Sequence, residues 1–319
     1  MGILAIRATS LSCAFFTRMR IAYIVYSTEG PFSFADTEHD ELLHFLQQQG
    51  LDIHKEAWAD KSVQWEQYHC IVLKSPWDYV EKPQVFYAWL DKMTALNIAL
   101  LNPADVVQWN CDKHYLQDIA DAGLKVIPTA FIEKGEQFNP SVYFTAFGTG
   151  KIIVKPCISG SSKNTFLLSE DDIENKSVIG QLLQREAMMV QPFIPRIQEE
   201  GEWSLVFFGG KYSHALVKKP TSGDFRCQLQ FGGSVHGMHP SPEVLQPATE
   251  YVVRFAKECL YARVDGLIID RVFHLMELEL VDPYLYLSTH AGATENYYGA
   301  LQSALASHRF LHSRGSLSS

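Results

Sequence analysis

The chain has 319 residues, of which 47% are hydrophobic and 20% charged, and its formal net charge is −9. That composition can fill two or three compact cores and excludes general disorder. The acidic balance, with no Lys/Arg block, argues against a nucleic-acid or anionic-membrane surface. The six cysteines (Cys13, Cys70, Cys111, Cys157, Cys227 and Cys259) form no CxxC pair, so they read as reduced thiols of a cytoplasmic protein. No apolar run approaches the roughly 20 residues of a membrane span.

Residues 1–18 carry Arg7 inside their apolar stretch and end in Phe-Phe-Thr-Arg, which makes a poor signal peptide. Leu11-Ser12-Cys13 follows too short an apolar segment for a lipoprotein box. We read residues 1–18 as an extension outside the fold, with Met19-Arg20 running into a first buried strand at 21–26. From there the hydrophobic period alternates. A loop holds Gly30 and Pro31, and a helix over 38–49 ends at Gly50. Strands at 51–58 and 69–74, a helix at 83–95 and a short strand at 98–101 complete a parallel βαβ domain over 19–105. Ligands of such sheets sit beyond the carboxyl ends of the strands, here Ser27–Gly30 and Ser75–Tyr79.

After residue 105 the texture changes. A helix at 112–122 closes on Gly123, and strands follow at 125–132, 151–155, 165–168, 188–192, 204–208 and 211–217. A helix over 247–260 leads into strands at 262–269 and 273–281. Strands grouped apart from helices imply α+β units beside the first domain. Residues 312–319 read as a frayed tail.

The segment His274-Leu275-Met276-Glu277-Leu278-Glu279-Leu280 is the most informative. In a strand, Glu277 and Glu279 share one face about 7 Å apart. If 270–272 closes a hairpin, Asp265 lies opposite Glu277, within about 5 Å at Cβ. Three carboxylates on one face repel unless a cation is shared. Hard oxygen ligands in an incomplete set suit Mg²⁺ completed by phosphate oxygens. The plain alternative is a half-exposed strand with a polar face.

Phosphate-binding groups have candidates elsewhere. Strand 151–155 ends in Lys155-Pro156 ahead of Ile158-Ser159-Gly160-Ser161-Ser162, small residues that let backbone N–H groups approach an anion. Lys113 sits on the first turn of the helix expected from Asp112. Arg226, in the Gly/Ser/Pro-rich segment 218–226, can hold a carboxylate or a transferring phosphoryl group bidentately. By themselves these also fit hairpin punctuation, a surface lysine and a mobile loop.

In this order the pieces resemble the ATP-grasp superfamily, over roughly 105–290. The matching features are Asp112-Lys113, Lys155-Pro156 before a small-residue loop, Val190-Gln191-Pro192-Phe193-Ile194, Gly201-Glu202-Trp203-Ser204, Gly223-Asp224-Phe225-Arg226 with Gly232-Gly233, and Glu277-Leu278-Glu279. Ser-Pro-Trp-Asp-Tyr, Trp-Asn-x-Asp-Lys and Glu-Leu-Glu-Leu are similar to the small glutathione-synthetase-like and cycloserine-ligase-like members. Glu279 stands where glutathione synthetases have Asn, so their substrate does not carry over.

The resemblance implies an α/β plus α+β architecture: the parallel βαβ domain, a first ATP-grasp subdomain over 106–192 and a second over 193–312, with a tail from 313. It implies ATP and Mg²⁺, with Mn²⁺ as the alternative ion. Lys113 and Lys155 would meet the α/β-phosphates, Ser161 and Ser162 the β/γ-phosphates, the backbone of Gln191, Pro192, Phe193 and Ile194 the adenine, and Glu202 the ribose. Asp265, Glu277 and Glu279 would hold the metal, and Arg226, with Lys155, would serve catalysis. The implied activity is ligation of a small-molecule carboxylate to an amine through an acyl phosphate, with a homodimer as a family-level expectation. A phosphotransferase or a non-catalytic nucleotide-binding regulator keeps the same fold. A metallohydrolase using His236 and His239 is disfavoured, because glycines and a proline place the pair in a loop with no acidic partner at the expected offset.

Overall fold

A computed structural model describes residues 19–26, 36–160, 162–221, 223–224, 226–227 and 231–315. The expected loop at Ser27–Gly30 and Ser161 lie outside these residues, as does the extension 1–18. The described residues form three sheets. No helix among them is long and apolar enough to cross a membrane.

The first sheet is parallel, in the order β2-β1-β3-β4: β1 (Arg20–Val25), β2 (Asp52–Ala57), β3 (Cys70–Ser75) and β4 (Ala99–Leu100). Helices α1 (Asp36–Gln48) and α2 (Pro83–Ala95) make the crossovers. The strands are continuous apolar runs because both faces are covered: Ile21, Tyr23 and Val25 pack toward α1, and Ala22 and Ile24 toward α2.

The second sheet is antiparallel, order β5-β8-β6-β7, from β5 (Ala130–Ile132), β6 (Lys151–Pro156), β7 (Phe166–Ser169) and β8 (Met188–Pro192). The expected strand at 125–132 shrinks to β5, because Val126 instead bridges to Leu275 and the backbone of Lys125 and Ile127 bonds there. The expected helix at 112–122 starts only at Tyr115, as α4 (Tyr115–Asp121), and a helix that was not expected, α3 (Ala104–Asn110), precedes it. Lys113 therefore lies in the turn between them. Asp112 shapes that turn by accepting the His114 backbone N–H at 3.1 Å.

The third sheet is antiparallel, order β11-β10-β9-β12-β13: β9 (Glu202–Phe208), β10 (Lys211–Lys219), β11 (Ser234–Met238), β12 (Tyr261–Ile269) and β13 (Val272–Glu279). Its turn at Asp270-Arg271 has φ of 50° and 68°, the left-handed pair of a tight hairpin. His236 belongs to edge strand β11 rather than to a loop. Two helices not in the sequence reading, α5 (Pro140–Phe147) and α6 (Ile173–Leu182), cover the second sheet, joining Phe144 and Ile179 to Ile152 and Val154. The helix α7 (Pro242–Phe255) starts earlier than expected, so Pro247 lies inside it.

The last helix, α8 (Ala293–Gly315), was also unanticipated and occupies the start of the expected tail. Its stripe Tyr297, Leu301 and Leu305 packs with Ile21, Leu42 and Leu46 of the first sheet layer and Phe208 of the third. One core thus joins β1 and α8.

Candidate active site

The hairpin β12–β13 builds the floor. Val264 and Leu278 point into a core with Val244, Ala248 and Tyr251 of α7, so their neighbours are forced to the opposite face. The register pairs Asp265 with Glu277 and Arg263 with Glu279. A bulge follows Asp265, and Gly266 occupies it because a Cβ there would lie 2.4 Å from the His274 carbonyl oxygen.

The carboxylates do meet, but much of their charge is balanced by side chains. Arg263 grips Asp265 through Nε at 3.0 Å and Nη2 at 2.9 Å, and also reaches Glu279. Lys218 of β10 bridges Glu202 at 2.6 Å and Asp265 at 3.1 Å, while the Ser204 hydroxyl donates to Asp265 at 2.6 Å. Lys113 sits 3.1 Å from Glu277 and donates to the Ser159 carbonyl at 2.7 Å.

The electrostatics follow from that wiring. Burial alone would raise Asp265, yet Arg263 and Lys218 hold it well below the usual carboxylate range. Burial likewise opposes Glu277 ionisation, and Lys113 and Lys155 override it. Glu279 goes the other way: burial, then Asp265 and Glu277, push it up to about 8 in spite of Arg263. The three carboxylates of the face thus differ in how firmly they stay ionised, with Glu279 the least so.

Facing this floor is the second sheet. Ile152 and Val154 turn into its own core, which aims Ile153 and Lys155 at the gap. Lys155 makes no hydrogen bond or ion pair with a described residue, and burial lowers its pKa. Between the sheets lies a cavity of about 610 Å³, within the range of small-molecule sites. Lys113, Lys155, Ser162, Gln191, Pro192, Phe193, Ile194 and Glu202 all line it, as do Arg226, Asp265, Glu277 and Glu279.

Several of these residues hold partners that bear on the expected roles. The Phe193 N–H is spent on the Lys151 carbonyl at 3.0 Å, so it is not free to read a base. The Gln191 side chain donates to Thr129 at 2.9 Å. Glu202 is tied to Lys218, which weakens its case as a ribose ligand. Arg226 is held bidentately by Asp224, with Nη2 at 2.7 Å, and lies 3.8 Å over the Phe231 ring.

Sequence reasoning missed Arg263, Lys218, Asp282 and Glu38. Arg263 was legible, since it precedes Asp265 by two on one strand and must share its face. Asp282 lines the cavity just past β13, where burial and then Glu277 raise its carboxyl to about 6 against the pull of Lys113. Glu38 carried no local signal. Its buried carboxylate accepts from Lys74 at 2.8 Å and from the backbone N–H groups of Leu285 and Leu287 at 2.8 and 3.0 Å. Trp77 adds a bond from its indole to the Asp282 carbonyl at 3.0 Å. Segment 282–287, bearing Tyr284 and Tyr286, is thereby strapped to the first sheet along the cavity wall.

Comparison with known proteins agrees with this arrangement. Residues 21–102 match the family model described as D-cycloserine synthetase DcsG, N-terminal domain, and 124–261 match prokaryotic glutathione synthetase, ATP-grasp domain. Residues 124–261 thus match an ATP-grasp domain. It is 30% identical over 166 residues to the cycloserine biosynthesis protein DcsG of Streptomyces lavendulae, a match covering 50% of this chain and 55% of that one. A glutathione synthetase of Prochlorococcus marinus subsp. pastoris is 26% identical over 112 residues, 34% of this chain and 36% of that one. The matched stretches are thus about half and about a third of those relatives. In three dimensions the crystal structure of D-cycloserine synthetase DcsG superposes with a TM-score of 0.78 at 24% identity, covering 89% of this chain and 99% of that one. A D-alanine–D-alanine ligase from Bacillus anthracis gives 0.68 at 15%, covering 93% and 99%. The chain therefore has the fold of both ligases over nearly their whole length.

Proposed function

We propose that this ATP-grasp protein is an ATP-dependent ligase that joins a small-molecule carboxylate to an amine or a related nucleophile. The observation that carries the reading is the cavity itself, where Lys155, unpaired among the described residues, faces the Glu277–Glu279 pair across the gap between two sheets. In this reading 19–105 contributes the substrate wall, 106–192 the phosphate and adenine contacts, and 193–312 the charged floor.

Lys113 and Lys155 neutralise the phosphates, Ser162 lies over them, and the 191–194 segment borders the base. Arg226 and Arg263 meet charge that develops on the transferred phosphoryl group. A substrate carboxylate oxygen attacks the γ-phosphorus, the bond to ADP breaks, and an acyl phosphate forms. The nucleophile then attacks the acyl carbon, phosphate leaves, and the amine proton passes to a base. Positioning and electrostatics suffice, so no nucleophilic side chain is needed.

The donor set fits Mg²⁺. Glu277 and Glu279 offer hard oxygens on one face, and a dication there would favour the ionised form of Glu279, which burial first and then Asp265 and Glu277 oppose. Asp265 fits less well, because both its oxygens are already bonded to Arg263, Lys218 and Ser204. Bound there, the ion would supply Lewis-acid neutralisation of phosphate charge. The test is ADP release across acid–amine pairs. Release that needs both partners supports the ligase, release with a hydroxyl compound alone indicates a phosphotransferase, and nucleotide binding without turnover indicates a regulator.

A further inference from the structure

Outside the cavity, three chemically different ligand groups converge where nothing in the proposed reaction uses them. Asp112, His114 and Cys157 each offer one ligand atom, all within 4.8 Å of one another. We infer that they form a second metal site, distinct from the carboxylate floor, for a borderline transition-metal dication such as Zn²⁺.

Both ring nitrogens of His114 face carboxylates. Its Nδ1 faces Asp112 Oδ1 at 2.6 Å and its Nε2 faces Glu133 Oε1 at 3.2 Å. A neutral imidazole has one N–H, so it cannot donate to both carboxylates. Either the ring holds two protons, a carboxyl group supplies one, or a metal replaces one of them. Glu133 then stands where metal-bound histidines place an outer carboxylate, and it leaves Nδ1 as the ligating nitrogen.

The three groups are also preorganised. The ring stacks on Phe131 with centroids 4.2 Å apart. Cys157 is 1% exposed, and its backbone is pinned on both sides, by Ala187 at 3.0 Å and by the Lys113 N–H at 2.9 Å. Asp112 and His114 side chains are 38% and 35% exposed, so ions can enter and a fourth position opens to water. One sulfur, one nitrogen and one oxygen donor suit Zn²⁺ and not Mg²⁺, which takes oxygen ligands. On binding, the Cys157 thiol proton and the proton between Asp112 and His114 leave to solvent, with no change of oxidation state. The ligands flank Lys113 directly and follow Lys155 by two residues, so a bound ion would fix the backbone behind both lysines.

Full-length protein, dialysed against chelator, is titrated with Co²⁺. The expected result is a thiolate-to-cobalt charge-transfer band that saturates at an equimolar ratio, disappears on adding Zn²⁺ and survives excess Mg²⁺. Cys157→Ser should abolish the band. Glu133→Gln should keep it and weaken Co²⁺ binding about 10- to 100-fold. If Cys157→Ser does not fold, His114→Ala must weaken binding at least as much as Glu133→Gln. No band in the folded wild type, a band that survives Cys157→Ser, or unchanged affinity in His114→Ala overturns the site. None of these readings depends on ligase turnover, so the proposed function stands or falls separately.

Discussion

At the residue scale, Lys155 and Arg226 carry opposite expectations. Lys155 already faces the cavity with no hydrogen-bond partner among the described residues, so under the proposed function it would meet the nucleotide in the ground state. Lys155→Ala should weaken ATP binding by about 1–3 kcal/mol, the worth of a charge-assisted hydrogen bond. Calorimetry that finds unchanged affinity would return the lysine to a purely structural role. Arg226 is instead held by Asp224 and Phe231, and must leave that arrangement to reach a transferring phosphoryl group. Arg226→Ala should lower kcat by about 10²-fold or more while ATP affinity holds, as expected of a donor used mainly in the transition state. Collapse of ATP affinity with kcat intact would make it an ordinary nucleotide contact.

At the element scale, two joints decide whether the charged floor and the substrate strap are in place. Gly266 lets β12 bulge right after Asp265, where the His274 carbonyl leaves no room for a Cβ. Gly266→Ala should cost about 1–3 kcal/mol by overpacking, read from urea denaturation. A neutral result would mean that the hairpin shifts at no cost. The other joint is the Glu38–Lys74 pair, 5% and 1% exposed at the side chain, which ties α1 and β3 to the strap. Glu38→Gln leaves a charged lysine buried beside an amide, so stability should fall by about 3–5 kcal/mol. The double variant with Lys74→Met should recover part of it. A single-variant loss below about 1 kcal/mol would put this pair among surface ion pairs in energy.

At the scale of the whole molecule, buried His39 sets an acid limit on stability. Burial, helped by Lys74, lowers its pKa from 6.5 to about 2, so the folded state keeps it neutral. Below about pH 6.5 the unfolded chain binds a proton that the native state does not, and stability falls as pH falls. The slope is about 1.4 kcal/mol per pH unit, continuing toward pH 2. Chemical unfolding at pH 7 and pH 5 should therefore show a steeper acid loss in the wild type than in His39→Asn. Parallel losses in the two proteins would remove His39 as the cause. At the same scale α8 shares a core with β1, α1 and β9, which binds the first and third sheets together.

What the sequence determined by itself is local. Period-two alternation in 272–279 was enough to put Glu277 and Glu279 on one face, and the hairpin register followed from where the turn had to close. The parallel βαβ sheet was legible for the same reason, because its buried strands and amphipathic helices each declare their own period. Tyr297, Leu301 and Leu305 carry the helical spacing of α8, but that helix went unread, and its partner is set by tertiary packing. Tertiary structure decided the rest. Period-two spacing ahead of Asp265 marks Arg263, but it cannot say that Lys218 arrives from β10 to share the same carboxylate. Nor can it show that residue 38 bonds residue 287, 249 positions away, or that Lys125–Ile127 leaves its expected strand for β13. Periodicity reports which face of an element is buried. Which element buries it, and which charge meets which, is settled only when distant segments pack and must satisfy one another's polar groups.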